Sequence, residues 1–260
     1  MIEDLFSLRG RTAIVTGGSR GIGRMIAAGF LAAGAKVYIT SRKASVCETA
    51  AAELSASGGE CIALPHDIST MDGCRALVED FAAREASLDI LVNNAGTVWG
   101  APFDDFPESG WDKVLDLNLK TPFFLTQMLA PALRRSASPQ RAAKVINVAS
   151  TDGLKPSPDE TYSYHASKSG LIFLTRRMAA RLISDNICVN AIAPGAFVSD
   201  MNRAARDHGD ALAARIPARR IGEAADMQGV SIFLASRAGD YAVGVTISID
   251  GGVVYGTAVL

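Results

Sequence analysis

Short apolar runs alternate with alanine-rich stretches along the chain, and this alternation restricts the fold more than any other feature of the sequence. The runs are rich in β-branched residues and almost continuously apolar, which is typical of parallel strands covered on both faces. The predicted strands are residues 12–16, 36–40, 60–64, 90–93, 144–148, 188–192 and 245–249. Helical patterns separate them at residues 22–33, 45–56, 71–85, 110–134, 162–183 and 223–235. This order predicts an α/β fold, in which a doubly wound parallel sheet of seven strands carries helices on both faces.

Nothing in the pattern divides the chain into separate units. Its 260 residues suit one large α/β domain, and no linker rich in proline, glycine or serine interrupts the alternation. We therefore predict a single domain, residues 1–260. One long irregular segment, residues 194–222, follows the sixth predicted strand, and long loops in compact domains commonly act as active-site lids. We expect it to be a mobile loop that contacts the substrate.

Charge and cysteine content exclude several classes of function. The formal net charge of −1 gives no overall positive field that would attract nucleic acid or an anionic membrane. The 4 cysteines form no CxxC pair, and no cysteine/histidine cluster has zinc-site spacing, so no metal is expected. The first residues lack the apolar core of a signal peptide, and no run approaches the ~18 apolar residues of a membrane span. We expect a cytoplasmic protein with reduced cysteines.

A glycine-rich turn, residues 16–23 (TGGSRGIG), follows the first predicted strand and opens the first helix. Glycines there permit a tight turn and let the backbone approach a pyrophosphate, while the helix N-terminus offers N–H groups to the anion. The spacing differs from the GxGxxG fingerprint, so a glycine-rich turn without a ligand is the alternative. The residues expected to bind a dinucleotide here are Gly17, Ser19, Arg20, Gly21, Ile22 and Gly23.

The end of the second predicted strand indicates which dinucleotide fits. Enzymes that use NAD commonly place an acidic residue there to bind the ribose 2′-hydroxyl. Ser41 stands at this position and Arg42 follows it, so no carboxylate would repel a 2′-phosphate. Arg42 and Arg20 can bind that phosphate through their guanidinium groups, which favours NADP(H) over NAD(H). The alternative is that Arg42 and Lys43 simply face the solvent.

Six short motifs in a fixed order carry a resemblance to a known family. They are TGGSRGIG at 16–23, NNAG at 93–96, VINVAS at 145–150, YHASK at 164–168, NAIAPG at 190–195 and IDGG at 249–252. Each is weak alone, but with their joint order and spacing the chain resembles the short-chain dehydrogenase/reductase family along nearly its whole length. The resemblance implies a Rossmann-type fold and an oxidoreductase that moves hydride between a nicotinamide and a carbonyl or secondary alcohol.

The resemblance assigns catalysis to Ser150, Tyr164 and Lys168, with Asn118 as a fourth member. Tyr164 and Lys168 are four residues apart and therefore share one helix face. An unperturbed phenol has a pKa near ~10, and a neighbouring ammonium should lower the pKa of Tyr164 so that it exchanges a proton with the substrate oxygen. Ser150 would polarise the same oxygen. The resemblance also implies that Tyr164 and Lys168 contact the cofactor, Lys168 through the nicotinamide ribose, and that Asn118 anchors a water leading from Lys168 to solvent.

Two neighbouring residues compete with these assignments. Tyr162 lies in the same segment, but its i+4 partner is Ala166 rather than a lysine. Thr151 would replace Ser150 if the loop were shifted by one residue, although VAS matches the strand end of the family. For the tyrosine–lysine pair as a whole, the alternative is a surface tyrosine that lies over a lysine stem.

The same resemblance implies further cofactor contacts at the ends of the strands. Asp67 would accept a hydrogen bond from the adenine amino group, and the alternative is that Asp67 or Ser69 is a helix N-cap. The NNAG segment would line the cofactor at the carboxyl edge of the sheet, where ligands lie in open α/β folds. The other expected contacts are Ile68, Asn94, Ala95 and Gly96, followed by Pro194, Gly195, Phe197 and Ser199 at the nicotinamide carboxamide.

The walls of the substrate pocket are expected to be mostly apolar, which suits an acyl carbonyl better than a polyol. The expected lining residues are Val98, Trp99, Phe103, Leu154, Pro156, Pro158, Phe197 and Met201. Core or dimer packing is the alternative for Trp99 and Phe103. An arginine-rich segment, residues 202–220, either grips an acidic substrate such as a carrier-protein or coenzyme A thioester, or forms a solvated face. His208 within it is not expected to be catalytic.

Within the family, the pattern most resembles NADPH-dependent 3-oxoacyl thioester (β-ketoacyl) reductases, so reduction of such a thioester or a similar ketone is the expected reaction. One departure lies at residues 223–229 (EAADMQG), where the family more often carries Pro-Glu-Glu. Two other functions stay open: a sugar or polyol (gluconate-type) dehydrogenase of the same family, and a catalytically silent NADP(H)-binding regulator. The resemblance also implies a homodimer or homotetramer that pairs through the helices at 110–134 and 162–183 and through the last strand.

Overall fold

In the computed structural model, the described residues are 2–198, 207 and 209–256. The strands are β1 Thr12–Thr16, β2 Lys36–Thr40, β3 Cys61–Ala63, β4 Ile90–Asn93, β5 Ala143–Val148, β6 Ile187–Pro194 and β7 Thr246–Ile249. Within this part of the chain they form one seven-stranded sheet in the order β3-β2-β1-β4-β5-β6-β7, and every neighbouring pair is parallel. The predicted doubly wound sheet is confirmed, and each strand lies within two residues of its predicted bounds.

Helices cover both faces of this sheet. Their bounds are α1 Ile2–Phe6, α2 Gly21–Ala32, α3 Ala44–Ala56, α4 Met71–Ala82, α5 Glu108–Leu115, α6 Thr121–Ser136, α7 Tyr162–Leu182, α8 Gly209–Ala213 and α9 Ala224–Ala235. One hydrophobic cluster joins the sheet to α2, α3 and α9, and a second joins it to α4, α6 and α7. Alternate residues of β1 divide between the two clusters, because successive side chains of a strand point to opposite faces.

The long helix predicted at residues 110–134 is interrupted. A single π-helical turn, Asp116–Lys120, separates α5 from α6 and contains Asn118. The prediction of one continuous helix was wrong in this detail, because the apolar pattern does not reveal a one-residue insertion in the helical hydrogen bonding. Such turns occur frequently at functional sites, where they redirect a side chain without ending the helix.

The segment predicted as a mobile substrate loop, residues 194–222, is described only in part. Its ends are joined, because the Gly222 N–H donates to the Ala196 carbonyl oxygen at 2.8 Å and Phe197 forms a β-bridge with Gly222. The short helix α8 lies between them. The expected contacts Ser199 and Met201 lie outside the described residues. So do Arg203, Arg206 and His208 of the arginine-rich segment.

In the described part of the chain, no helix is both long enough and apolar enough to cross a membrane.

A partly buried ion pair joins Lys144 on β5 to Asp240, and no sequence motif marks it. The Lys144 side chain on β5 is 0% exposed, and its Nζ donates to Asp240 Oδ1 at 2.6 Å. An ammonium group buried in this way needs its carboxylate partner, because removing one member leaves an uncompensated charge in a medium of low dielectric.

We expect Asp240→Ala to lower the free energy of unfolding by about 2–3 kcal/mol, less than for a fully buried pair because the Asp240 side chain is 34% exposed. Lys144→Met combined with Asp240→Ala should recover part of the loss, since no charge then remains buried. Urea denaturation measures both. As a control, Glu53→Gln breaks the exposed pair with Arg24 and should change stability by less than ~1 kcal/mol. Equal losses for the buried and exposed pairs would contradict this account.

Candidate active site

The glycine-rich turn requires glycine for two reasons, its backbone angles and its close packing. Gly17 and Gly21 adopt positive φ angles of 65° and 52°, which favour glycine. A Cβ atom on Gly23 would lie 2.4 Å from both the Gly17 carbonyl oxygen and Asn94 Nδ2. The turn therefore closes tightly against the segment that follows β4, and only glycine permits that approach.

Hydrogen bonds from Thr16 join the carboxyl ends of β1 and β4. Thr16 Oγ1 donates to the Val92 carbonyl oxygen at 3.1 Å and accepts from the N–H groups of Asn94 and Ala95 at 2.9 and 3.0 Å. Asn94 Nδ2 in turn donates to the Thr16 carbonyl oxygen at 2.8 Å. The strand order reverses between these two strands, and ligands of open α/β sheets bind at that point. Sequence reasoning missed Thr16, although it opens the TGGSRGIG motif.

The N-terminus of α2 faces this turn. Its N-cap, Arg20, has extended backbone angles (φ −157°, ψ 170°) and makes no side-chain capping hydrogen bond. The first N–H groups of a helix carry partial positive charge and have no partner within the helix. A tight glycine turn in front of such a terminus fits the diphosphate of a dinucleotide.

The second strand ends as the sequence indicates, without a carboxylate in the three residues that follow. Ser41 Oγ donates to the Lys43 carbonyl oxygen at 3.2 Å, and α3 begins at Ala44. The Arg42 side chain is exposed at the same end of the sheet. A 2′-phosphate at this position would meet guanidinium groups and no carboxylate of this segment.

Asp67 does not cap a helix. Its Oδ1 accepts hydrogen bonds from the Ser69 N–H at 3.1 Å and from Ser69 Oγ at 2.7 Å. The N-cap of α4 is Thr70, whose Oγ1 accepts from the Gly73 N–H at 3.1 Å, so the alternative N-cap assignment to Asp67 or Ser69 was wrong. Ile68 is buried, and its carbonyl oxygen accepts from Thr121 Oγ1 at 2.8 Å.

Ser150 and Tyr164 lie together at the carboxyl edge of the sheet. Ser150 follows β5, is only 8% exposed, and its hydroxyl lies close enough to the Tyr164 phenol to lower the pKa of that phenol. Ser150 Oγ also accepts from the Asp152 N–H at 3.1 Å. Thr151 instead begins a 3-10 turn, Thr151–Gly153. The arrangement therefore brings Ser150 to Tyr164, and the alternative of a loop shifted by one residue does not describe it.

Lys168 lies one helical turn beyond Tyr164 on α7 and is buried. Its Nζ donates to the Val148 carbonyl oxygen at 2.7 Å and lies 5.6 Å from the centroid of the Tyr164 ring. Burial lowers the pKa of Lys168 to about 8, because the charged ammonium loses its hydration.

The expected effect of Lys168 on the pKa of Tyr164 was wrong for this arrangement. The pKa of Tyr164 is raised to about 12, mainly because burial removes water from the phenolate; Ser150 opposes this rise, and the Asp152 carboxylate adds a smaller contribution to it. Desolvation of the phenolate outweighs the nearby lysine, whose ammonium donates to a backbone carbonyl rather than to the phenol.

The π-helical turn directs Asn118 toward the backbone after β4. Asn118 Oδ1 accepts from the Thr97 N–H at 2.8 Å, and Nδ2 donates to the Thr97 carbonyl oxygen at 2.9 Å and to Ser167 Oγ at 3.2 Å. A Cβ atom on Gly96 would lie 3.2 Å from Asn118 Oδ1 and 3.7 Å from Lys168 Nζ. Asn118 and Lys168 therefore flank the same glycine, and Asn118 holds the NNAG segment in place.

The segment after β6 contacts the last strand. Pro194 is buried at the end of β6, and the Gly195 N–H donates to the Ile249 carbonyl oxygen at 2.9 Å. Phe197 is 2% exposed, and its ring packs so closely on Gly222 that a Cβ there would lie 2.4 Å away. Its side chain is therefore buried against Gly222, and little of its surface is open to a ligand.

The aromatic residues expected around the substrate pocket behave differently from one another. Trp99 packs on α5, where a Cβ on Gly110 would lie 2.7 Å from its ring, so the packing alternative describes Trp99. Phe103 is 72% exposed and meets Tyr162 edge-on, with ring centroids 5.5 Å apart. The Tyr162 hydroxyl donates to Glu160 Oε1 at 3.2 Å, so its hydrogen-bond partner is a carboxylate and not the Ser150 hydroxyl.

Described arginines of the arginine-rich segment bind groups of the protein itself. Arg220 forms a two-pronged pair with Asp226 at 2.5 and 2.9 Å, and Arg219 donates to the Ala214 carbonyl oxygen at 2.7 Å. Glu223 and Asp226 form a reciprocal capping box at the start of α9. The EAADMQG departure therefore keeps a well-formed helix start.

The glycine turn and the serine, tyrosine and lysine side chains suit a nucleotide-dependent oxidoreductase, and comparison with known proteins agrees. The short chain dehydrogenase family pattern matches residues 11–210, which is more than half of the chain. The chain belongs to the short-chain dehydrogenase family. It is an oxidoreductase of that family, as the order of its motifs predicted.

Three similar proteins set this result in context. The rhamnolipids biosynthesis 3-oxoacyl-[acyl-carrier-protein] reductase of Pseudomonas aeruginosa is 48% identical over 250 residues, which cover 95% of this chain and 97% of the relative. The solved RhlG/NADP active-site complex of P. aeruginosa matches with a TM-score of 0.93 and 48% identity, over 96% of this chain and 98% of that one. The 2-dehydro-3-deoxy-D-gluconate 5-dehydrogenase of Dickeya dadantii is 37% identical, over 97% and 98% of the two chains.

The buried Asn118 side chain forms hydrogen bonds with both the N–H and the carbonyl oxygen of Thr97. Asn118→Ala removes both bonds and should lower the free energy of unfolding by about 2–3 kcal/mol, because both backbone groups lose their partner. Chemical denaturation followed by circular dichroism measures the loss. Ser167→Ala removes only the third contact of this amide and should lose about 1 kcal/mol. If the two variants proved equally stable, the Thr97 contacts would not be stabilising the turn.

Proposed function

We propose that this short-chain dehydrogenase reduces the carbonyl group of a 3-oxoacyl thioester, or of a similar ketone, with NADPH. The observation that carries the proposal is the grouping of Ser150, Tyr164 and buried Lys168 at the carboxyl edge of the sheet, with Lys168 Nζ 5.6 Å from the Tyr164 ring centroid. The glycine turn beside them fits a diphosphate. The P. aeruginosa relative, named as a 3-oxoacyl-[acyl-carrier-protein] reductase, supports the substrate class. The RhlG/NADP complex supports the cofactor.

Different residues around the glycine turn would bind different parts of NADP(H). Backbone N–H groups of the glycine turn and of the α2 terminus would bind the diphosphate, and Arg20 and Arg42 would bind the 2′-phosphate. Asp67 and the backbone of Ile68 would contact the adenine. Lys168 would hold the nicotinamide ribose. The remaining contacts in this proposal are the backbone of residues 94–96 and of Pro194, Gly195 and Phe197, with Ser199.

The bound cofactor would supply a hydride to the carbonyl carbon, and the protein supplies the proton. The Tyr164 phenol donates its proton to the carbonyl oxygen, so that hydride and proton together give the alcohol. Ser150 donates a hydrogen bond to the same oxygen and stabilises the charge that develops there. Because burial raises the pKa of Tyr164 to about 12, the phenol is protonated at neutral pH, which is the form that reduction requires. Asn118 fixes the backbone beside Lys168.

A gluconate-type dehydrogenase is the second candidate function. The 37% identity to the D. dadantii enzyme favours it, because that relative spans nearly the same length. The same proton transfer would then run on a sugar acid.

We also propose that the enzyme is a homodimer or homotetramer, as other members of the family commonly are. Large apolar side chains lie exposed on the helices expected to pair: Trp111 at 42%, Phe123 at 36% and Phe173 at 71%. Pairing would remove this surface from water. The cytoplasmic location stays a prediction from the sequence.

Arg42→Ala should raise the KM for NADPH about tenfold and leave the KM for NADH nearly unchanged, because a charge-assisted contact to a phosphate contributes roughly 1.5–3 kcal/mol. Steady-state kinetics with each nucleotide measures the two values. Lys43→Ala, one residue further on, serves as the control and should have a smaller effect. Equal changes for NADPH and NADH would contradict a 2′-phosphate contact.

Tyr164→Phe should leave NADPH binding intact and lower turnover by about 10²–10⁴-fold, because the proton donor is lost while the ring remains. NADPH oxidation is followed with a 3-oxoacyl thioester and a keto-sugar acid side by side. Tyr162→Phe is the matched control and should keep its turnover.

The same panel separates the candidate functions. Rapid turnover of the thioester supports the first proposal, and turnover of the sugar acid alone supports the gluconate-type alternative. Tight NADPH binding without turnover of either substrate by the unmodified enzyme would leave a catalytically silent regulator as the function.

A further inference from the structure

The first turn of α7, which carries Tyr164, lacks the usual side-chain cap. Thr161 is the N-cap residue, and its side chain makes no capping hydrogen bond. The Thr161 carbonyl oxygen closes this turn, because it accepts from the N–H groups of Tyr164 at 3.0 Å and of His165 at 3.1 Å. The ends of helices fray when they are not capped, so the position of Tyr164 depends on what holds this one carbonyl group.

The His165 side chain holds that carbonyl group from within the helix. Its Nδ1 lies 2.9 Å from the Thr161 carbonyl oxygen and 3.2 Å from Thr161 Oγ1. Its Nε2 accepts from the Ser157 N–H at 3.2 Å, which requires a lone pair on Nε2 and places the ring proton on Nδ1. The neutral ring therefore donates to the Thr161 carbonyl oxygen and accepts from Ser157.

The segment that His165 binds, residues 157–161, is folded by hydrogen bonds of its own. The Thr161 N–H donates to the Asp159 carbonyl oxygen at 2.8 Å, and the Asp159 N–H donates to Ser157 Oγ at 3.4 Å. The imidazole ring contacts both ends of this segment, Ser157 and Thr161. His165 therefore joins the start of α7 to a preformed turn and not to a single loose residue.

A second anchor lies on the other side of Tyr164. One turn further along α7, Lys168 Nζ donates to the Val148 carbonyl oxygen at 2.7 Å and lies 5.6 Å from the Tyr164 ring centroid. Lys168 thus ties the helix to β5, while His165 ties its first turn. A proton donor must meet the substrate oxygen at hydrogen-bond distance, and a displacement of about 1 Å can lower a rate ~10²-fold. The anchor at the helix start therefore affects proton transfer.

We propose that His165 is a positioning residue of the active site. It fixes the first turn of α7 through Thr161 and so holds the Tyr164 phenol where the substrate carbonyl receives its proton. The proposal rests on the proposed role of Tyr164 in reduction. It goes beyond that role because it assigns the geometry of the tyrosine to a residue outside the serine, tyrosine, lysine and asparagine set.

Steady-state kinetics of two variants measures the effect. His165→Ala should lower kcat for ketone reduction by about 10- to 100-fold and leave the Kd for NADPH unchanged, because the proton donor is displaced while the cofactor contacts remain. Alanine has the highest helix propensity, so this loss does not arise from a weaker helix. His165→Asn places an amide N–H near the position of Nδ1, which can donate to the Thr161 carbonyl oxygen, and it should recover several-fold of the lost kcat.

Ser169→Ala is the matched control. Ser169 lies on α7 one turn beyond His165, and its Oγ donates to the Gly153 carbonyl oxygen at 3.1 Å. The substitution removes a side-chain hydrogen bond between the same helix and the same loop, but outside the turn that carries Tyr164. It should leave kcat near the wild-type value.

A double-mutant cycle separates positioning from a general loss of structure. In a Tyr164→Phe background the proton donor is absent, so a residue that acts only by placing that donor has no further effect. His165→Ala should then leave the residual rate nearly unchanged, although it lowers the rate of the wild type strongly. A purely structural role would instead lower the rate by the same factor in both backgrounds.

Amide hydrogen exchange tests the anchor without a substrate. In His165→Ala, the N–H groups of residues 164 and 165 should exchange about five- to tenfold faster than in the wild type, the factor expected when the helix start loses one hydrogen bond. Exchange in His165→Asn should be slower than in His165→Ala, and in Ser169→Ala it should match the wild type. This measurement stands even if the unmodified enzyme reduces neither test ketone, the outcome that would overturn the proposed function.

Three outcomes would overturn the role of His165. The first is unchanged exchange at residues 164 and 165 in His165→Ala, and the second is an equal fall of kcat in His165→Ala and Ser169→Ala. The third is the same fold-loss from His165→Ala with and without the Tyr164 hydroxyl. Thermal unfolding identifies the folded variants, and should His165→Ala not fold, His165→Met, which keeps the volume without the hydrogen bonds, takes its place in each comparison.

Discussion

The rest of the site depends on the hydrogen bonds that join the carboxyl ends of β1 and β4. Thr16 and Asn94 exchange backbone and side-chain contacts across this gap, and the glycine turn closes on Asn94. The strand order reverses at this place, which is where ligands of open α/β sheets bind. Without this link, the α2 terminus and the NNAG segment would have no fixed separation. The link therefore fixes both the glycine turn, where a diphosphate would bind, and the NNAG segment. Gly96 of that segment packs against Asn118 and Lys168, so the position of Lys168 relative to the turn depends on the same link.

Burial determines the chemistry of the reacting groups more than their mutual attraction does. The structure holds a tyrosine whose pKa is raised to about 12 and a lysine whose pKa is lowered to about 8, both because the charged forms lose hydration. At neutral pH both side chains are protonated, because the pKa of Tyr164 lies far above 7 and that of Lys168 is still above it. The phenolate forms only when a carbonyl oxygen takes the Tyr164 proton, and the Ser150 hydroxyl would stabilise the charge on that oxygen. The Val148 carbonyl oxygen also takes part, because it accepts a hydrogen bond from Lys168 Nζ and holds that group beside Tyr164.

The sequence predicted those features that follow from periodicity or from a motif. Apolar runs marked every strand to within two residues, and the i, i+4 spacing placed Tyr164 and Lys168 on one helix face. The sequence did not predict features that depend on which atoms come into contact in the folded chain. The π-helical turn at Asn118, the Thr70 cap and the core position of the Phe197 ring each arise from a local competition for hydrogen bonds or space. The raised pKa of Tyr164 belongs to the same class, because desolvation depends on all neighbours and not on the nearest lysine.

The pocket side of the molecule explains why the reaction is easier to infer than the substrate. The Trp99 ring packs on α5, and the buried Phe197 ring packs on Gly222. Both side chains were expected to form apolar walls of the substrate pocket, but the structure uses them largely in packing. The segment between Ser150 and Tyr164 instead presents Asp152, Ser157 and His165 within hydrogen-bonded reach of one another. Where polar groups of this kind line a substrate pocket, a substrate that fails to pair with them leaves buried groups without partners. The fold that holds the cofactor does not by itself set the substrate.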